Sequence, residues 1–168
     1  MPNFHNLITM KIEEVMIKNV VALQEDVTAY DAVKLMNEKK IGCLVVLQYG
    51  QVVGILTERD LLERVLEKCK NPKETKITEI MTKRVIVGKP DMQLDEAAQL
   101  MFERKVKKLP IVEGNRLVGL VTLTDLARIA SLDQKTMEIV ETRERFLEAC
   151  MHAWDTTLRK QDQTEVAR

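Results

Sequence analysis

Two stretches decide how this chain folds: GILTERD, from Gly54 to Asp60, and GLVTLTD, from Gly119 to Asp125. Each runs a glycine, two apolar residues and a threonine into an aspartate three positions further on. The offset that carries Gly54 onto Gly119 also carries Ile12 onto Ile77, Met16 onto Met81, Val20 onto Val85, Asp26 onto Asp91, Met36 onto Met101 and Leu44 onto Leu109, with no gap. The chain is therefore two copies of one supersecondary unit.

Within each copy the period of the apolar residues changes in the same order. A short helical turn, Ile12 to Met16 or Ile77 to Met81, leads to a short β-branched strand, VVAL in the first copy and VIV in the second. A helix follows. In the first copy Thr28 and Asp31 form its capping box and Ala29, Ala32, Val33, Leu35 and Met36 its apolar face; the second copy offers Leu94, Ala97, Ala98, Leu100 and Met101. Two apolar runs split by QYGQ or EGNR then predict a hairpin, and Thr57 or Thr122 caps a closing helix. A single β-α-β-β-α unit has one apolar sheet face and too little chain to cover it. The expected fold is α/β (α+β), with the two units packed sheet to sheet about a pseudo-twofold. The expected boundaries are 1–66 for the first unit, 67–76 for a charged linker, 77–131 for the second and 132–168 for a C-terminal helix and tail.

Composition narrows the function. Lys plus Arg and Asp plus Glu both total 26 in 168 residues, so no overall field recommends nucleic acid or an anionic membrane as partner. No apolar run approaches the length of a membrane span and the first residues lack the pattern of a signal peptide, so the chain reads as cytoplasmic. Three cysteines without CxxC spacing argue against a disulfide framework or a zinc ribbon, and His5 and His152 lie outside the repeats, so no metal site is expected. No nucleophile, base and orienting group assemble, which argues against catalysis.

At this point the residues resemble the tandem cystathionine β-synthase (CBS) domain family. The resemblance spans about Lys11 to Ala130 and rests on GILTERD and GLVTLTD, on the leading EEVM and TEIM, and on VKKLPIV at the start of the second hairpin. The first hairpin departs from it, with Val45 where the second copy has Pro110. The resemblance implies a non-catalytic sensor of adenosyl ligands, such as AMP, ADP, ATP or S-adenosylmethionine, commonly a homodimer and regulating a partner protein. By the family's arrangement Asp60 works with the other copy's Thr82, Lys83, Arg84, Val85, Val106, Lys107 and Lys108, and Asp125 with Ile17, Lys18, Asn19, Val20, Ile41, Gly42 and Cys43.

The chemistry of those residues suits the ligand. A carboxylate such as Asp60 or Asp125 can accept both ribose hydroxyls in charge-assisted bonds. Thr57 and Thr122 add hydroxyls, with Arg59 and Thr124 adjacent to the aspartates. Phosphate beside an aspartate needs extra cations, which Lys83, Arg84, Lys107 and Lys108 supply chiefly on the Asp60 side. With aromatic residues at only 4%, aliphatic Val20, Ile41, Val85 and Val106 are left to sandwich a purine. Gly54 and Gly119 would let a ligand or another backbone approach closely. The plain alternative is that each Thr-x-x-Asp is only a helix cap, and that the paired repeats are a dimerisation scaffold that takes no ligand. Beyond the repeats, Met137, Val140, Leu147, Met151, Trp154 and Leu158 recur at helical spacing, predicting an amphipathic helix from Thr136 to Leu158 that contributes contacts to a homodimer.

Overall fold

The structure, a computed structural model, describes residues 10–131. The helix read from Thr136 to Leu158 and its part in a dimer lie outside the described residues. The first copy consists of α1 (Ile12–Val15), β1 (Ala22–Gln24), α2 (Ala29–Lys39), β2 (Cys43–Gln48), β3 (Gln51–Thr57) and α3 (Glu58–Leu61), which continues as a π-helical stretch over Leu62–Leu66. The second consists of α4 (Ile77–Ile80), α5 (Leu94–Glu103), β4 (Lys108–Glu113), β5 (Arg116–Thr122) and α6 (Leu123–Ser131).

In the first copy β1 runs parallel to β2, and β2 is antiparallel to β3. The hairpin closes through Tyr49 and Gly50, whose φ angles of 50° and 79° are those of a type I′ turn. In the second copy β4 and β5 pair alone. The strand expected at VIV does not form; one parallel bridge, Gly88 to Ile111, stands in its place. The cause is local. Gly88 and Pro90 fall where the first copy has Leu23 and Glu25, and proline has no N–H to extend a ladder. Gly88 is also pressed onto the core, since a Cβ there would lie 2.9 Å from side-chain atoms of both Ile111 and Leu109. Both hairpins carry an irregularity at the same place, between Val46 and Leu47 and between Ile111 and Val112.

Each copy's leading turn is buried in the other copy. Ile77, Ile80 and Met81 complete the core formed by Ala29, Ala32, Met36, Leu44, Val46, Leu56 and Val65. Reciprocally, Ile12 is buried with Ala97, Met101, Leu109, Ile111, Val121 and Leu126. Backbone bonds seal the exchange. Ile55 N–H donates to Thr82 O at 3.0 Å and Thr82 N–H returns a bond to Ile55 O at 2.9 Å. The pseudo-twofold mates are Ile17 N–H to Leu120 O at 2.9 Å and Leu120 N–H to Ile17 O at 3.0 Å. β3 and β5 pack against one another between these bridges.

The charged linker keeps its charged side chains in water, but not its backbone or the buried Thr75. Ala29 N–H donates to Thr75 O at 2.8 Å, Tyr30 N–H to Pro72 O at 3.0 Å and Ile77 N–H to Val27 O at 3.1 Å. These bonds satisfy the open first turn of α2 and aim α4 into the first core.

The exchange makes a specific expectation. Ile12→Ala and Ile77→Ala each remove a fully buried side chain and should destabilise by about 2–5 kcal/mol in urea denaturation. Under native conditions Ile77→Ala should speed hydrogen exchange in β2 and β3, and Ile12→Ala in β4 and β5. Faster exchange confined to the mutated copy's own strands would show that each leader serves its own core.

A candidate ligand site at two capped aspartates

Both motif aspartates are first of all helix caps. Asp60 Oδ2 accepts from Thr57 N–H at 2.8 Å and from Thr57 Oγ1 at 2.6 Å, while Asp60 N–H donates to Thr57 Oγ1 at 3.3 Å. For Asp125 and Thr122 the same three distances are 3.1, 2.6 and 3.2 Å. The box at Thr28 and Asp31, in neither motif, gives 3.1, 2.5 and 3.3 Å. Cap geometry therefore does not separate the motif aspartates from an ordinary cap. Their surroundings do. Asp31 is exposed, with its carboxyl held below the usual range by bonds from Thr28. Asp60 is only 7% exposed, Asp125 is half-buried, and both stand where a strand of one copy meets the leader of the other.

That junction carries only part of each expected set toward its aspartate. The bridge from Ile55 brings Thr82 to the Asp60 side, and the bridge from Leu120 brings Ile17 to the Asp125 side. The hairpin starts lie against the closing helix of their own copy, with Glu58 N–H donating to Gly42 O at 3.3 Å and Leu123 N–H to Lys107 O at 3.0 Å. They also meet across the pseudo-twofold. Cys43 and Lys108 are equivalent positions, close enough across the pseudo-twofold for the Lys108 charge to act on the buried Cys43 thiol. Burial pushes that thiol up, with Lys108 opposing. Val20, Ile41, Val85 and Val106 are half-buried, whereas Lys18, Asn19, Lys83, Arg84, Lys107 and Thr124 are exposed. Arg59 turns along its own helix to Glu63, at 2.5 Å.

One residue of the site is absent from the sequence reading. The Arg64 guanidinium lies 3.0 Å from Asp60 Oδ1, donates to Ile80 O at 2.6 Å and contacts Thr82 Oγ1 at 3.4 Å. The available signal was the i,i+4 spacing of Asp60 and Arg64 on one helix face. Its pseudo-twofold counterpart is Ile129, and among the described residues no group bonds Asp125 Oδ1.

The glycines have a different occupant from the one expected. A Cβ on Gly54 would lie 2.2 Å from Met81 Sδ, and one on Gly119 would lie 2.2 Å from Met16 Sδ. The space is filled by a methionine of the other copy's leader, not by a backbone. Gly54→Ala and Gly119→Ala should each cost about 1–3 kcal/mol by overpacking. Combining Gly119→Ala with Met16→Ala should cost less than the sum of the single changes in denaturant titrations; strict additivity would mean that the pair does not share the space.

The repeats and their fold are shared with known proteins. The family model for the CBS domain matches residues 12–67 and again 77–131. The chain is 34% identical over 116 residues to the CBS domain-containing protein YhcV of Bacillus subtilis, covering 69% of this chain and 82% of that one. It is 38% identical over 120 residues to the inosine-5′-monophosphate dehydrogenase of Methanocaldococcus jannaschii, covering 70% of this chain and 23% of the enzyme. The solved CBS domain pair of protein MJ0100, in complex with 5′-methylthioadenosine and S-adenosyl-L-methionine, superposes with a TM-score of 0.66 at 25% identity, covering 72% of this chain and 95% of that one.

Proposed function

The chain belongs to the CBS domain family, and from that premise we propose that it is a non-catalytic regulatory module that binds an adenosine-containing ligand between its two repeats and signals its occupancy to a partner protein. The observation that carries this reading is the division of labour on Asp125. Its Oδ2 holds the cap on Thr122, while its Oδ1, in a half-buried position beside the other copy's leader, has no bonded group among the described residues. An oxygen of that kind takes ribose hydroxyls through charge-assisted bonds without uncapping α6. Half-buried Val20, Ile41, Val85 and Val106 supply apolar surface for a purine. The ligands seen in the MJ0100 pair belong to the same adenosyl class.

The functional unit is proposed to be a homodimer. Leu62 and Leu66 are 57% and 70% exposed and stand close together on the π-helical stretch, giving a second subunit an apolar surface to cover. A dimerisation scaffold without ligands is the competing reading, favoured by Asp60, whose carboxylate is already satisfied on both oxygens by Thr57 and Arg64.

Thermal denaturation with adenosine, 5′-methylthioadenosine, AMP, ATP and S-adenosylmethionine separates the two. At about 100 times Kd a ligand adds about 2.7 kcal/mol, or a Tm rise of several degrees at roughly 2–4 °C per kcal/mol. Asp125→Asn should weaken binding by about tenfold or more while costing less than about 1 kcal/mol as a cap. Asp31→Asn alters an equivalent cap and should leave binding unchanged. A Tm indifferent to every adenosyl compound would favour the scaffold.

A further inference from the structure

The pseudo-twofold equates Asp60 with Asp125 and Thr82 with Ile17, yet the two sides are not chemically equivalent. On the Asp60 side one guanidinium takes up both polar groups that a sugar would need. Arg64 stands 3.0 Å from Asp60 Oδ1 and 3.4 Å from Thr82 Oγ1. Its other terminal nitrogen is anchored at 2.6 Å on Ile80 O, the last carbonyl of α4, where a cation also answers the helix dipole. The salt bridge holds Asp60 with a side chain only 10% exposed. A charge so deeply buried is costly to strip of its partner. The closing helix also widens here into its π-helical stretch, which carries Arg64, whereas α6 is an α-helix along its length. On the Asp125 side the positions of Arg64 and Thr82 are taken by Ile129 and Ile17, neither of which has a side-chain donor or acceptor.

We infer that Arg64 is the residue that decides ligand stoichiometry: it holds the Asp60 side shut, so that the chain takes one adenosyl ligand, at Asp125, and rejects a second. This rests on the adenosyl reading above. Uncharged 5′-methylthioadenosine has no negative charge to offer the guanidinium in exchange for Asp60, so it does not displace Arg64 and reports the closure most directly. Arg64 also clamps the second copy's leader onto the first, so a stability loss on mutation is expected of a purely structural role too. Stoichiometry is not.

Isothermal titration calorimetry of the full chain with 5′-methylthioadenosine tests the inference on four proteins. The parent should bind one ligand per chain, and Asp125→Asn should weaken that binding by about tenfold or more, whereas Asp60→Asn should leave it unchanged. Arg64→Met keeps the aliphatic stem and removes the guanidinium, and should bind two ligands per chain. Two equivalents in the parent, or one equivalent lost in Asp60→Asn and kept in Asp125→Asn, overturns the role given to Arg64 while leaving the adenosyl reading intact. One equivalent in Arg64→Met, with circular dichroism unchanged from the parent, overturns it as well. No binding in any of the four overturns the adenosyl reading and the stoichiometry with it.

Discussion

The burial of each copy's leading turn in the core of the other is the constraint on which the rest of the structure depends. Ile12 and Ile77 are fully buried, each among residues of the opposite copy. Remove the exchange and each hairpin loses a wall of its core, β3 and β5 lose the segments that bridge them, and Gly54 and Gly119 lose the methionines that they are shaped to admit. The candidate site depends on it too. Thr82 stands beside Asp60 only because α4 ends in the first core, and Ile17 stands beside Asp125 only because α1 ends in the second.

The fold was legible because its signals are repeated. Registered apolar periods, turn glycines and capping pairs state each element twice, and β2 with β3, β4 with β5, α2 and α5 all stand where the periods put them. The strand expected at VIV failed because β-branched composition was read without its flank: Gly88 and Pro90 limit the pairing to one bridge. The exchange of leaders was not legible from the residues alone. A buried isoleucine at Ile12 looks the same in sequence whichever core receives it, since the two cores are built from equivalent residues.

At the candidate site the same limit applies more sharply. Thr-x-x-Asp reads as a cap, and the distances at Asp31, Asp60 and Asp125 agree to within a few tenths of an ångström. What separates these carboxylates is what the fold brings to their second oxygen: Arg64 at Asp60, and no bonded group among the described residues at Asp125. The helical spacing of Asp60 and Arg64 was present in the sequence. That the same guanidinium also reaches Ile80 and Thr82 of the other copy was not, because that contact exists only once the leaders have exchanged.

The exchange also fixes what a lone copy would be. With its leader unhoused and its core open on one side, a single repeat has only one way to satisfy both, which is to trade leaders with an identical chain. In that light the 168-residue chain is a tethered pair of repeats, whose linker replaces a bimolecular encounter with an effective concentration on the order of millimolar. Tethering changes what mutation can do. In a dimer of identical chains every substitution appears at both symmetry-related places, so a residue that closes one side necessarily closes the other. Once two copies are written in one chain, Arg64 and Ile129 can differ, and a symmetric fold can carry an asymmetric response.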